Sequence, residues 1–352
     1  MTIDQHRAEA LPSEPIRVGM IGLGRRGQGN FLPALMCLRD DFAVAWAHSR
    51  THESLRDVSS VWQVEPADRL DDVTLARVDA VAVSVPIDQN IAVLRKLEPH
   101  AERLTVIIDT PVTQSVRDAL ACARLLAKFK SVLVIEDYMN FPEFELARRA
   151  AAAGLIGRVS HVTLNGLGYR YHGVALLRSF ADFAPVRSTR RRSLGGGATA
   201  IDYRFRGGLT GCVIGPYRRD SGDFRIEGAT GIIVGAPGGQ AAEMPDGSKH
   251  VMQFNRVDGV LTSVRLASHE IALPEIARLM ELPFADKSEI NLRRSFGLMQ
   301  VFRSLREDNL NRRYGFKNAL YDSLMSRAAD KIPLLFDPTT YAGTNAFELM
   351  VA

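Results

Sequence analysis

The chain has 352 residues, enough for two domains, since single domains cluster near about 100–200 residues. Apolar residues make up 46%, charged residues 24%, and the net charge is a mild +4, a balance that excludes disordered, fibrous and strongly nucleic-acid-binding classes. No apolar run reaches the roughly 18–20 residues of a membrane span, and the odd, widely spaced Cys37, Cys122 and Cys212 fit reduced cytoplasmic thiols rather than disulfides or a metal site.

In chain order, residues 1–14 read as a disordered tail, and MTIDQHRAEALPSEP, acidic and without an apolar centre, is not a signal peptide. Arg17–Ile21 reads as a buried strand running into a glycine-rich turn. Gly22, Gly24 and Gly27 stand at G-x-G-x-x-G spacing, and an amphipathic segment with Phe31, Leu32, Leu35 and Met36 follows. Gly22 allows a tight turn, Gly24 lets backbone approach a pyrophosphate, and Gly27 lets strand and helix pack closely. Backbone N–H groups of Gly22, Leu23, Gly24, Arg25, Arg26 and Gly27, with the helix dipole behind them, then form an anion site. Further strands are expected at Phe42–Ala47, Ala80–Val85, Thr105–Ile108 and Ser131–Ile135, alternating with helices such as Asn90–Leu97 and Ser115–Lys128. Near-unbroken Val, Ile and Ala strands between helices imply right-handed crossovers and a parallel sheet covered on both faces.

After about Asn140 the pattern changes. A helix over Glu143–Ala153 closes on Gly154, a C-cap. Strands are then expected at Val159–Asn165, Ala198–Phe205, Thr210–Ile214, Phe224–Ile226, Thr230–Val234, Val251–Phe254 and Leu261–Leu266, with turns at Pro237-Gly238-Gly239 and Asp246-Gly247. Helices return at Leu292–Leu305 and Asn318–Ala329. The expected fold is α/β plus α+β: a doubly wound Rossmann domain over residues 15–138, then a domain over residues 139–352 built on a large open antiparallel sheet.

The motif order resembles the glucose–fructose oxidoreductase/inositol dehydrogenase (Gfo/Idh/MocA) family. IRVGMIGLGRRGQGNFLPAL looks like its opening phosphate loop, and VDAVAVSVPIDQN like its fourth strand with a proline turn under the cofactor, which would place Val85, Pro86 and Asn90 there. VIIDTPVTQSVRDAL stands where the family usually writes Glu-Lys-Pro, and YMNFPEFELARRAAAAGLIGRVSHV looks like the linking helix and first strand of the substrate domain. The resemblance covers about residues 16–235 and implies an NAD(P)(H)-dependent oxidoreductase acting on a small polar molecule: a sugar, a cyclitol, or a biosynthetic ketone or imine. It further implies a homo-oligomer, dimer or tetramer, built through the open sheet face.

The second strand should end near the adenosine ribose about 20 residues after the glycine loop. NAD-preferring sites place an acid there; here stand Ser49, Arg50 and Thr51. With no carboxylate to repel a 2′-phosphate, an arginine can clamp it and hydroxyls can add bonds, with Arg25 and Arg26 contributing charge. The expectation is NADP(H) over NAD(H).

Where the family carries Glu-Lys-Pro, this chain has Asp109-Thr110-Pro111. Thr110 hydrogen-bonds but carries no charge; Asp109 keeps the acid. The family's downstream Asp-x-x-x-His falls on Gly168-Tyr169-Arg170-Tyr171-His172, so the resemblance makes His172 the acid/base while the aspartate is lost. His172 reads either that way or as a buried histidine bonded to backbone; Tyr169, Arg170 and Tyr171 crowd the same loop, and a phenol beside an imidazole relays protons. Tyr203 is a further substrate-side donor on the sheet. Asp137 and Asn140 follow the last Rossmann strand, where ligands collect, although each alone reads as structural. The run Arg187, Arg190, Arg191, Arg192 before Gly195-Gly196-Gly197 reads as a solvated face or a flexible anion-recognising loop. No His, Cys, Asp or Glu spacing suggests a metal, and nothing suggests nucleic acid or membrane partners. The alternatives to an oxidoreductase are a catalytically silent nucleotide-binding sensor or scaffold, motivated by the missing Lys and Asp, and a cofactor-recycling epimerase or lyase.

Overall fold

The computed structural model describes residues 14–113, 115–169, 171–218, 221–238, 249–307 and 309–331. Most of the expected tail, Arg170, Gly239 and the Asp246-Gly247 turn lie outside the described residues.

Strands β1 (Ile16–Ile21), β2 (Phe42–His48), β3 (Ala80–Val83), β4 (Thr105–Asp109) and β5 (Ser131–Ile135) form one parallel sheet in the order β2-β1-β3-β4-β5. Val81, Val83, Ile107 and Ile108 are fully buried, as strands covered on both faces must be. The connecting helices are α1 (Leu32–Cys37), α2 (His52–Trp62), α3 (Asp72–Ala76), α4 (Asn90–Leu97) and α5 (Val116–Leu126). Helix α5 starts where Ser115 Oγ accepts the Asp118 N–H at 3.0 Å, an N-cap that satisfies an otherwise orphaned donor. Trp46 is fully buried with its indole N–H donated to the Thr74 carbonyl at 3.0 Å. On the neighbouring strand only Gly19 fits, since a Cβ there would meet the indole at 2.2 Å. The strand order turns back between β1 and β3, so the loops leaving these two strands diverge and open a crevice at their carboxyl ends.

Helix α6 (Pro142–Ala152) ends just before Gly154, whose φ of +89° closes it as expected. Then come β6 (Val159–Asn165), α7 (Tyr171–Ser179), β7 (Val186–Gly195), β8 (Ala198–Phe205), β9 (Thr210–Gly215), β10 (Asp223–Gly228), β11 (Ile232–Gly235) and β12 (Lys249–Val251). They form a seven-stranded sheet ordered β12-β11-β10-β6-β9-β8-β7. It is mostly, not wholly, antiparallel: β6 pairs parallel with β9, and β11 with β12. A helix and a hairpin separate β6 from β9, a connection long enough to bring the chain back in the same direction.

The arginine run is not a flexible loop. It is the edge strand β7, zipped to β8, with Arg192 Nε 2.6 Å from Asp202 Oδ2. Charged side chains on an edge strand oppose further strand pairing, which accounts for the run without a ligand.

A small sheet of β13 (Gln253–Val257), β14 (Val260–Leu266) and β15 (His269–Ala272) follows, then α8 (Pro274–Glu281), α9 (Glu289–Arg303) and α10 (Leu310–Lys331), broken at Gly315. The last two helices return to the first half of the chain. Helix α9 packs on the turn after the glycine loop and α10 packs on β5 and α7. Buried Arg178 of α7 pairs with buried Asp322 of α10 at 2.7 Å, and the Tyr314 hydroxyl donates to the same carboxylate at 3.0 Å. Removing either partner would strand a buried charge, typically worth about 3–5 kcal/mol, so α7 is firmly held.

Candidate active site

The glycine loop is built as its spacing requires. Gly22 has φ of +98°, and a Cβ on it would lie 2.0 Å from the Ser84 carbonyl leaving β3. A Cβ on Gly27 would lie 2.2 Å from the Gly22 carbonyl, whereas one on Gly24 would meet nothing within 4 Å. Two glycines are therefore forced by close packing, and the third borders open space at the head of a helical turn (Gly27–Phe31) that continues into α1. Unpaired N–H groups and the helix dipole face that space, so these residues fit a dinucleotide pyrophosphate. The loop borders a cavity of about 810 Å³, shared with Trp62, Phe284 and Asp286.

Beneath the loop lies a buried charge cluster. Arg25 turns outward to Asp286 at 3.3 Å. Arg26 turns inward, with its guanidinium 3.3 Å from Asp109 at the end of β4 and 2.8 Å from Asp137 just beyond β5. It also donates to Asn30 Oδ1 at 3.1 Å and stands over the Phe31 ring. The expectation that Arg26 adds charge at the ribose 2′-position is therefore corrected: its charge is drawn to two carboxylates at the sheet's carboxyl end. Burial pushes Asp109 above the usual carboxylate range, outweighing the pull of Arg26. Burial acts the same way on Asp137, but Arg26, then His172 and Arg294, overcome it and hold that carboxyl below its usual value.

His172 opens α7 and is buried. Its Nδ1 lies 2.7 Å from Glu136 Oε1, the residue directly after β5. Glu136 is fully buried, and burial pushes its carboxyl up against the pull of His172. Tyr138 stacks on the imidazole with ring centroids 4.3 Å apart, and the Tyr171 ring is 4.2 Å away at a tilt. Burial pushes both phenols up, so both stay protonated. The Tyr138 oxygen receives Arg294 at 2.7 Å and lies 2.7 Å from the Tyr217 oxygen. With Nδ1 held by Glu136, Nε2 is the imidazole nitrogen left for proton exchange, the orienting logic of a carboxylate–histidine pair.

The structure places the expected residues differently. Asp109, His172 and Tyr171 enter the cluster, as does Asp137. Thr110 lies beside it, but its hydroxyl is donated to the Ile135 carbonyl at 2.7 Å. Pro86 and Val85 lead away from β3 past Gly22. Asn90 is buried and donates to the Val112 carbonyl at 3.0 Å, which braces the loop after β4. Asn140 likewise braces Glu136 and Asn311. Ser49, Arg50 and Thr51 follow β2, with the Thr51 N–H bonded to Ser49 Oγ at 3.2 Å and Arg50 exposed. Tyr169 is exposed at the rim, 5.7 Å from the Tyr217 ring. Tyr203 is buried and stacks on Phe205 in the core of the second sheet. Arg170 is outside the described residues.

Sequence reasoning missed Glu136, Tyr138, Tyr217 and Arg294. Glu136 had a signal, an acid pair ending the apolar run SVLVI; Tyr217 and Arg294 had none. It also found no metal-type cluster, yet Glu136, Asp137 and His172 bring ligand atoms within 4.8 Å of one another. The cation on this group is Arg26. The missing aspartate has a steric explanation, because a Cβ at Gly168 would meet the Gly173 Cα at 2.8 Å.

A parallel sheet with a phosphate-binding turn, a carboxylate–histidine pair at its carboxyl end and an attached open sheet defines a nucleotide-dependent oxidoreductase class. Residues 16–137 match the model of the GFO_IDH_MocA family, the oxidoreductase family with an NAD-binding Rossmann fold. Over those residues the chain is similar to the nucleotide-binding domain of the Gfo/Idh/MocA family. No curated protein matches by sequence. Among solved structures, myo-inositol 2-dehydrogenase from Lactobacillus plantarum aligns over 91% of this chain and 97% of its own, with TM-score 0.61 and 13% identity. Levoglucosan dehydrogenase in complex with NADH and L-sorbose aligns over 91% and 97%, with TM-score 0.63 and 14% identity. The WlbA dehydrogenase from Bordetella pertussis in complex with NADH and UDP-GlcNAcA aligns over 92% and 100%, with TM-score 0.59 and 17% identity. At these identities the likeness is one of fold. Among the described residues no helix is long and apolar enough to cross a membrane.

Proposed function

We propose that the chain transfers a hydride between NAD(P)(H) and a small polar substrate, with His172 moving the proton. The observation that carries this reading is the Glu136–His172 pair, which stands within 4.8 Å of Asp137 and so is joined through Arg26 to the glycine loop. The bound dinucleotide would supply or accept the hydride. His172 Nε2 gives a proton to the substrate heteroatom as the adjoining carbon is reduced, or takes it in the reverse direction. Glu136 keeps the ring oriented, while Tyr138 and Tyr171 enclose it. Residues up to about 138 hold the nucleotide and those after it shape the substrate side.

The local charge favours one substrate class. Asp109 and Asp137 share Arg26, Glu136 is paired with His172, and Thr110 adds no cation. Such a site suits a neutral or cationic reacting group, so an imine or its iminium fits better than an alkoxide that needs a cation beside it. Sugars, cyclitols and ketones remain within the class.

NADP(H) over NAD(H) is supported by exposed Arg50 and the Ser49 and Thr51 hydroxyls after β2, with no carboxylate among them. A homo-oligomer through the open face of the seven-stranded sheet and a reducing, cytoplasmic setting complete the proposal; the three free cysteines support the latter.

The deciding experiment is equilibrium binding of NADPH and NADH, followed by absorbance at 340 nm across imines, ketones, sugars and cyclitols. Consumption or formation of reduced cofactor supports the reading. Tight binding without any hydride transfer would favour the sensor instead, and product formed without net cofactor change would favour an epimerase or lyase.

A further inference from the structure

Arg294, on the second turn of α9, stands between the two sides of the proposed reaction. It is half-buried and lines the cavity bordered by the glycine loop. On its other side Nη2 donates to the Tyr138 hydroxyl oxygen at 2.7 Å, and the guanidinium lies 5.5 Å from the centre of that ring. The same ring is stacked on His172. A single tyrosine therefore separates this cation from the imidazole.

Its charge is not taken up inside the fold. Among the described residues no carboxylate lies within ion-pair distance of Arg294. Asp137, the acid whose field reaches it, is bonded to Arg26 at 2.8 Å. The adjacent Arg293, by contrast, is buried against Glu143. A phenol oxygen is a neutral acceptor and engages a single guanidinium N–H. None of the Arg294 nitrogens is both buried and unpartnered, so its other N–H groups are open to the site. Tyr138 passes the polarity on. It stays protonated, and with its oxygen receiving Arg294 its own proton goes to the Tyr217 oxygen 2.7 Å away. That leaves the Tyr217 O–H to donate outward. Tyr217 follows β9, is half-buried, and packs edge-on against Tyr169 at the exposed rim. Two donors, one of them charged, thus flank one phenol oxygen beside His172.

We propose that the substrate carries a carboxylate, and that Arg294 and Tyr217 hold it while the reacting carbon lies at His172. This rests on the hydride-transfer reading above and narrows its substrates to small polar acids. A carboxylate accepts forked guanidinium N–H groups and a phenol O–H together, which a neutral hydroxyl does not match. The two ends of the site then ask for opposite charge. The carboxylates around His172 suit a neutral or cationic C=O or C=N group, and Arg294 suits an anionic handle. A keto acid, an imino acid or a sugar acid meets both demands. Arg294 and Tyr217 are positioning residues that set specificity, while the proton stays with His172.

The test is calorimetric titration of the full chain, saturated with whichever of NADPH and NADH binds more tightly, using matched pairs that differ in a carboxylate. The pairs are pyruvate and acetone, pyrrole-2-carboxylate and pyrrole, and glucuronate and glucose. At least one acid should bind about tenfold or more tightly than its neutral partner. Arg294→Met should erase that preference, and Arg294→Lys, which keeps the charge without the fork, should restore part of it. Tyr217→Phe should weaken the acid by about tenfold and leave the neutral partner unaffected. It keeps the ring and its packing, so it decides should Arg294→Met not fold. No preference in any pair, a preference that survives Arg294→Met or Tyr217→Phe, or a loss of dinucleotide affinity in Arg294→Met as large as the loss of the acid would each overturn the proposal. Acids held through Arg294 with no change in the absorbance of the reduced dinucleotide, for these or any other compounds, would count against the oxidoreductase reading alone. Hydride transfer to neutral compounds as fast as to their acids would leave that reading standing and overturn this one.

Discussion

The imidazole of His172 is held by a carboxylate on a different element: Nδ1 lies 2.7 Å from Oε1 of Glu136, which ends the last strand of the parallel sheet. The family's acid four residues before the histidine is Gly168 here, and the carboxylate on the imidazole is that of Glu136, 36 positions earlier in the chain. This pairing sets what the site can do and how it should respond to change.

Replacing His172 by Ala should lower turnover by about 10²-fold or more if the imidazole moves the proton. Glu136→Gln should keep the fold but shift the acid limb of the pH–rate profile, because the ring loses its charged partner. An unaltered kcat in His172→Ala would remove the residue from the chemistry.

Glu136 and Asp137, adjacent in sequence, should give opposite pH dependences of stability. Burial raises the folded-state value of Glu136 above the unfolded 4.5. Its contribution is then fully present below that pH and lost as pH rises through the folded value. Asp137 is lowered from 3.8, so its contribution is present above that pH and lost as pH falls through the folded value. In urea titrations from pH 3 to 8, Glu136→Gln should therefore gain on the wild type as pH rises, whereas Asp137→Asn should lose most near neutrality. Parallel curves for all three proteins would refute the assignment.

The glycines of the loop should separate folding from binding. Gly24→Ala places its methyl in open space, so melting should be unchanged while the dinucleotide dissociation constant rises by about tenfold, as a lost charge-assisted contact would give. Gly27→Ala drives a methyl against the Gly22 carbonyl and should cost about 1–3 kcal/mol of stability, as overpacking does. Equal effects of the two on melting would contradict the packing described.

Restoring the family's aspartate should fail. Gly168→Asp puts a Cβ 2.8 Å from the Gly173 Cα and close to Val213, so the variant is expected to be less stable and no more active. A gain in turnover would show that the segment rearranges more easily than its packing implies.

Cofactor choice turns on Arg50. Arg50→Ala should weaken NADPH by about tenfold and leave NADH nearly unchanged if the guanidinium clamps a 2′-phosphate. Equal losses for both dinucleotides would point to NAD(H).

The amino-acid sequence by itself determined the Rossmann half almost to the residue: Ser131–Ile135 and Asn90–Leu97 lie where expected, and the strand–turn–helix at Gly22 to Gly27 is built as its spacing requires. Those features are local, since apolar periodicity and glycine spacing follow from the geometry of a few consecutive residues. Only the tertiary structure decided the partners. Arg26 meets Asp109 across 83 positions, His172 meets Glu136 across 36, and Arg294 meets Tyr138 across 156. The edge-strand role of the arginine run and the mixed strand directions of the second sheet were likewise decided there. Pairings of this kind leave no period in the chain, because they depend on which elements pack side by side and on how little water remains between them. A buried charge must find its partner wherever the fold has placed one, and that place is set by the assembled core rather than by neighbours in sequence.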